Sequence, residues 1–140
     1  MARYKRQIIY DVVPKKPIED ENIACVYKIW WRGKYYIGRA RNLRQRMATH
    51  RADLNRHALL WDDSNPNHYL RHVMNWIIPN DLFWGYYEVV EVCSSEDELV
   101  AGEQRQFDLC KSDPNCLNFG FIARRQSEKV EKQNKPKEEK

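Results

Sequence analysis

The sequence predicts an α+β domain, a small three-stranded antiparallel sheet flanked by helices. Three observations carry this. Two runs rich in β-branched and aromatic residues, ACVYKIWW and KYYIG, meet across a connection of only Arg32 and Gly33, the pattern of a β-hairpin. The next segment, RNLRQRMATHRADLN, places Leu43, Met47 and Leu54 at spacings of four and seven, which is an apolar stripe along a helix. Further on, FWGYYEVVEV alternates as a half-buried third strand does.

In chain order, residues 1–23 read as an N-terminal arm. Within it IIYDVV (Ile8–Val13) is either a short strand or a docking arm, and Pro14 and Pro17 follow. Asn42 is placed to cap the first helix. Pro66 and Asn67 open a second helix, HYLRHVMNWI, which Pro79 and Asn80 end. Gly85 suggests a bulge in the third strand. SSEDELVAGEQRQFDLC opens with serines and first-turn acids, so a third helix is expected. CLNFGFI is extended and apolar. The tail from Arg124 offers one valine and no aromatic residue, too little to fold alone. The division is thus arm 1–23, domain 24–123 and a charged, disordered tail 124–140.

Composition narrows the function. With 140 residues the chain suits one domain. No apolar run approaches the roughly 20 residues of a membrane span. The start, MARYKRQIIYDVVPKKP, lacks an apolar core and a small-residue cleavage site, so an intracellular, cytoplasmic protein with no membrane partner is expected. Cys25, Cys93, Cys110 and Cys116 form no C-x-x-C pair, which argues against a zinc knuckle. Cys110 and Cys116 could approach each other, but free, inert thiols are expected in a reducing compartment.

Charge is unevenly distributed. Ala24 to His57 holds nine Lys/Arg against one acid, while Ala58 to Ala123 holds three against eleven. A basic segment beside an acidic one suggests a face for a polyanion. Arg39, Arg41, Arg44 and Arg51 are the nucleic-acid-binding candidates. Arg44 and Arg51 also read as residues that merely keep the helix soluble.

Arg46 and His50 are four apart on the basic helix and share a face. Arg39 and Arg46 suit a phosphate at the strand end, because the guanidinium fork makes paired hydrogen bonds. Gly38 either lets the backbone approach a ligand or makes the strand-to-helix turn. Tyr27 and Tyr36 lie on paired strands, where their phenols either pack or meet. Glu103, beside Ala101 and Gly102 on a slim helix, is either a surface residue or a ligand for a hard cation. His68 and His72 stand at i and i+4 without an evident third ligand, so surface or packing roles are expected. Trp30, Trp31, Trp61, Trp76, Phe83 and Trp84 read mostly as core, with Trp30 or Trp31 a possible stacking platform for an unpaired base.

Together these residues resemble the GIY-YIG endonuclease family, over about residues 24–122. The first motif appears as Cys25-Val26-Tyr27, with Cys where the family has Gly, and the second as Tyr36-Ile37-Gly38. The family's helical Arg falls on Arg46, its metal-binding Glu on Glu103 and its late Asn on Asn118. His50 matches the histidine of the phage homing-endonuclease branch. The resemblance implies a stand-alone, metal-dependent DNA endonuclease with a GIY-YIG nuclease-like fold. Its catalytic set would be Tyr27, Tyr36, Arg46, His50, Glu103 and Asn118, with Mg²⁺ or Mn²⁺ on Glu103. Tyr27 is the expected base and Tyr36 its partner, with the reverse also open. Duplex DNA is the expected partner ahead of single strands or RNA. Two alternatives stand beside this: a nucleic-acid-binding module without catalysis, and a protein-interaction domain from a mobile element.

Overall fold

The backbone accounts for each element through local chemistry first. The structure, a computed structural model, describes residues 9–59, 71–118 and 120–124. The elements are β1 (Asp11–Pro14), β2 (Ala24–Trp31), β3 (Lys34–Ala40), α1 (Leu43–Leu59), α2 (Arg71–Ile77), β4 (Trp84–Cys93) and α3 (Glu96–Cys110). β2 and β3 join through Arg32 at φ 47° and Gly33 at φ 80°. Two consecutive left-handed residues make the tight hairpin whose twist matches its strands. α1 is capped by the Asn42 side chain, which accepts from Gln45 N at 3.0 Å. α3 is capped by Ser95, which accepts from Glu98 N at 3.1 Å, while the Glu98 carboxylate accepts from Ser94 N at 2.8 Å. These caps satisfy amides that the first helical turn leaves open.

The described strands form one mixed sheet in the order β1-β4-β2-β3. This corrects the three-stranded antiparallel expectation. β1, within the segment read as an arm, pairs parallel to β4, with Asp11 opposite Trp84 and Pro14 opposite Tyr87. A four-residue strand whose partner lies so far along the chain gives little local signal. What holds it is tertiary: Val12 is fully buried, and Arg51 of α1 binds Asp11 Oδ1 at 2.7 Å and Val12 O at 3.0 Å.

The bulge is also placed differently. The β2–β4 register shifts between Val26 and Tyr27, which leaves Val90, not Gly85, as the extra residue. Gly85 instead admits Trp31: a Cβ there would lie 2.7 Å from Trp31 Nε1.

Helices cover both faces of the sheet. α1 and α2 pack Leu43, Met47, Leu54, Val73, Met74 and Ile77 onto Tyr27, Ile29, Trp31 and Tyr87. α3 packs Leu99, Phe107 and Cys110 onto Val26, Tyr35 and Ile37 on the opposite face. α1 runs on to Leu59, beyond the end expected at Asn55, and the expected start of the second helix lies outside the described residues. Not every aromatic is core. Trp84 is 54% and Phe83 37% exposed. Trp61 and His68 lie outside the described residues.

Candidate functional site

The site straddles the end of β3, at the outer side of the sheet. On the α1 face, Tyr27 sits opposite Gly38 in the β2–β3 register. A Cβ on Gly38 would run into the Tyr27 phenol, with 2.6 Å to Cζ. The missing side chain therefore lets the phenol cross over β3 toward α1. There the Tyr27 hydroxyl and His50 Nε2 share a hydrogen bond of 2.6 Å. Tyr36 adds a third ring, edge-on to His50 with centroids 5.8 Å apart. Gly38 thus serves close approach by a neighbouring side chain, a use the sequence left unassigned.

The other half lies on the α3 face. Arg39 Nη1 donates to Glu103 Oε1 at 2.8 Å, and both side chains are largely buried. Arg39 also donates to the Arg124 carbonyl and stands 3.9 Å from Glu96 Oε2. Gly102 brings α3 onto the sheet, since a Cβ there would stand 3.1 Å from Val26 Cγ2. Above this pair opens a cleft of about 310 Å³ whose lining includes Arg39, Arg41, Gln45, Arg46, Thr49 and Glu96.

The electrostatics follow from burial and from three charges. Burial, above all, pushes the Tyr27 phenol well above its usual range. Burial and then Glu103 raise Tyr36 to about 12, while Arg46 pulls it down. Burial and then the Arg46 charge lower His50 to about 4, with Asp53 opposing. At neutral pH the site therefore presents two phenols and an uncharged imidazole beside Arg46.

Of the residues expected from sequence, Tyr27, Tyr36, Arg46, His50, Arg39 and Glu103 converge. Asn118 is buried nearby, but it bonds the backbone of Ile37: its Oδ1 accepts from Ile37 N and its Nδ2 donates to Ile37 O, both at 2.8 Å. It supports β3 rather than bonding Glu103. Arg41 lines the cleft, 3.2 Å from Glu96. Arg44 is exposed on α1. Arg51 is turned to β1. Glu96, read from sequence as an ordinary first-turn acid, sits within reach of both Arg39 and Arg41. No local pattern marks it, because its partners come from another element.

Glu103 can be tested as a seat for a hard cation by its donor chemistry. Among the described residues, no group of three or more His, Cys, Asp or Glu converges into a cage. Mg²⁺ commonly needs no such cage, since one or two carboxylates with water and phosphate oxygens suffice. A buried carboxylate beside a basic cleft, with Glu96 near the same guanidinium, fits that mode.

Comparison with protein families, with curated proteins and with solved structures finds no match to the chain. The geometry defines an α+β domain with a four-stranded mixed sheet and a polar site at its edge. No helix of the described residues is long and apolar enough to cross a membrane.

Proposed function

We propose that the chain is a GIY-YIG-type, metal-dependent endonuclease that hydrolyses phosphodiester bonds in DNA. The observation that carries this reading is the 2.6 Å Tyr27–His50 hydrogen bond beside the Arg46 charge, at the edge where Arg39 meets Glu103. A phosphate in the cleft satisfies Arg46 and competes with Glu103 for Arg39. That exchange loosens the hold of Arg39 on the Glu103 carboxylate. A Mg²⁺ or Mn²⁺ ion held there would supply positive charge for the leaving oxygen.

The proton path follows from the same contact. Burial first and the Arg46 charge second hold His50 down; phosphate binding offsets the second, so His50 becomes a better acceptor. With its Nε2 unprotonated, His50 takes the Tyr27 proton, and the Tyr27 oxygen takes one from the attacking water. Arg46 stabilises charge gathering on the phosphoryl oxygens. Tyr36 orients His50 by ring contact, and Asn118 keeps β3 in place.

A second reading is a nucleic-acid-binding domain without catalysis. The observation favouring it is that both phenols are raised far above neutrality. It predicts salt-sensitive DNA binding with no cleavage in any metal.

Glu103→Gln separates the two. Gln keeps an acceptor for Arg39 but loses the charge that holds a cation. Single-turnover cleavage of plasmid and linear DNA with Mg²⁺, Mn²⁺ or EDTA is the measurement, beside a gel shift. Wild type should cut only with metal, and the variant should be slower by roughly a thousandfold with binding retained. Full cleavage by a folded Glu103→Gln chain would remove the catalytic assignment.

A further inference from the structure

We propose that Cys110 and Cys116 are a covalent modification site, closing to an intramolecular disulfide with a hydroperoxide as the oxidant. Their sulfurs stand 3.4 Å apart as free thiols, and a disulfide bond is about 2.0 Å. The backbone between them is already folded back. Asp113 N donates to Cys110 O at 2.8 Å and Cys116 N to Asp113 O at 3.1 Å. Closure therefore asks for side-chain movement across a formed turn. The other two cysteines have no such geometry: Cys25 packs on the α1 face of the sheet and Cys93 on the α3 face.

Access differs between the two sulfurs. Cys116 is half-buried, whereas Cys110 is 3% exposed. Cys116 is the thiol that meets the oxidant. Its thiolate attacks the O–O bond of hydrogen peroxide, becoming a sulfenic acid as one water forms. The Cys110 sulfur then attacks the sulfenic sulfur, the S–S bond forms and a second water leaves. Two thiols and one peroxide give one disulfide and two waters. Burial raises the Cys116 thiol to about 12, so little thiolate is present and the reaction is slow.

The link ties two parts of the fold. Cys110 ends α3, the helix of Glu103. Cys116 bridges Tyr35 of β3 and contacts Asn118 Oδ1 at 3.3 Å, the atom that holds Ile37 N. The disulfide fastens the end of α3 to the segment lining β3, and it stands whether or not the chain is a nuclease.

The test treats the full chain with hydrogen peroxide or with dithiothreitol, blocks remaining thiols and maps the peptides. The expected product is a linked Cys110–Cys116 peptide lighter by two hydrogens. Tm should rise by a few degrees, and the Ile37 amide should exchange more slowly. A Cys25→Ser, Cys93→Ser double variant should keep all three changes. Cys116→Ser should lose them, and Cys116→Ala serves should the serine variant fold poorly. Free thiols under peroxide that oxidises the urea-unfolded chain would overturn the proposal. So would Cys116 oxidised alone to a sulfinic acid, or a linked chain with a lower Tm.

Discussion

The Tyr27 hydroxyl and His50 Nε2 lie 2.6 Å apart inside the core, on a strand and a helix that meet over a glycine. Both residues are almost wholly buried, at 2% and 4% exposure. The contact makes His50 a structural group, and in the proposed reaction it is also the proton acceptor; the two roles are separable by experiment.

His50 should make the fold acid-sensitive. Its pKa is lowered to about 4, against about 6.5 in an unfolded chain. Between these values the unfolded state binds a proton that the folded state refuses. Stability from this group is therefore complete above about pH 6.5 and is lost as pH falls toward 4, on the order of 3 kcal/mol in total. Burial drives the lowering, the Arg46 charge adds to it, and Asp53 opposes it. Urea midpoints from pH 7 to 4 should fall more steeply in wild type than in His50→Gln; parallel curves would contradict the assignment.

Gly38→Ala should destabilise the chain through Tyr27. The added methyl meets the phenol, and both are packed between β3 and α1, so a cost of about 1–3 kcal/mol is expected. In a Tyr27→Ala background the same methyl enters space the ring has left and should cost far less. A double-mutant cycle by chemical denaturation reads this coupling. Additive effects would mean that the phenol moves aside freely.

Arg51→Ala should release β1 without touching DNA affinity. The side chain bonds Asp11 and the Val12 carbonyl, and the Arg51 and Asp11 side chains are each one-third exposed, so about 1 kcal/mol is at stake. Hydrogen exchange should quicken at β1 amides before any other strand. An Asp11→Ala chain should feel the Arg51 substitution less.

Arg41 and Arg44 should behave in the opposite way. Arg41 is largely exposed beside Glu96, and Arg44 is exposed on α1. Each Ala substitution should leave Tm nearly unchanged and reduce the slope of log affinity against log salt by about one. Titration of labelled duplex DNA at several salt concentrations is the measurement. DNA binding independent of salt would count against the polyanion face.

The sequence made the hairpin, the three helices and β4 legible because each is a local pattern. Strand composition around Arg32-Gly33, the stripe of Leu43, Met47 and Leu54, and the Ser95 cap all act within a few residues. IIYDVV read as either a short strand or a docking arm, and β1 bears out the strand; its place in the sheet was not legible, since its pairing is parallel and distant. At the site, residue types pointed to Tyr27, Tyr36, Arg39, Arg46, His50 and Glu103. Their partners did not follow from type. Arg51, a nucleic-acid-binding candidate that also read as a mere solubiliser of the helix, is a clamp on β1. Asn118, placed in the catalytic set by the resemblance, is bonded to Ile37. Both outcomes depend on which backbone groups arrive unsatisfied from elsewhere in the chain.

That same asparagine has a bearing on solubility. β3 ends the sheet, and an outermost strand offers unpaired amides and carbonyls to any passing chain. Here Tyr35 N and O are taken by Asn115 and Leu117, and Ile37 N and O by the one Asn118 side chain. A primary amide thereby imitates a neighbouring peptide unit at Ile37. Aspartate at 118 keeps the acceptor for Ile37 N but leaves the Ile37 carbonyl facing a negative charge. That single exchange would reopen the flank at Ile37 and leave its carbonyl ready to accept from a passing chain.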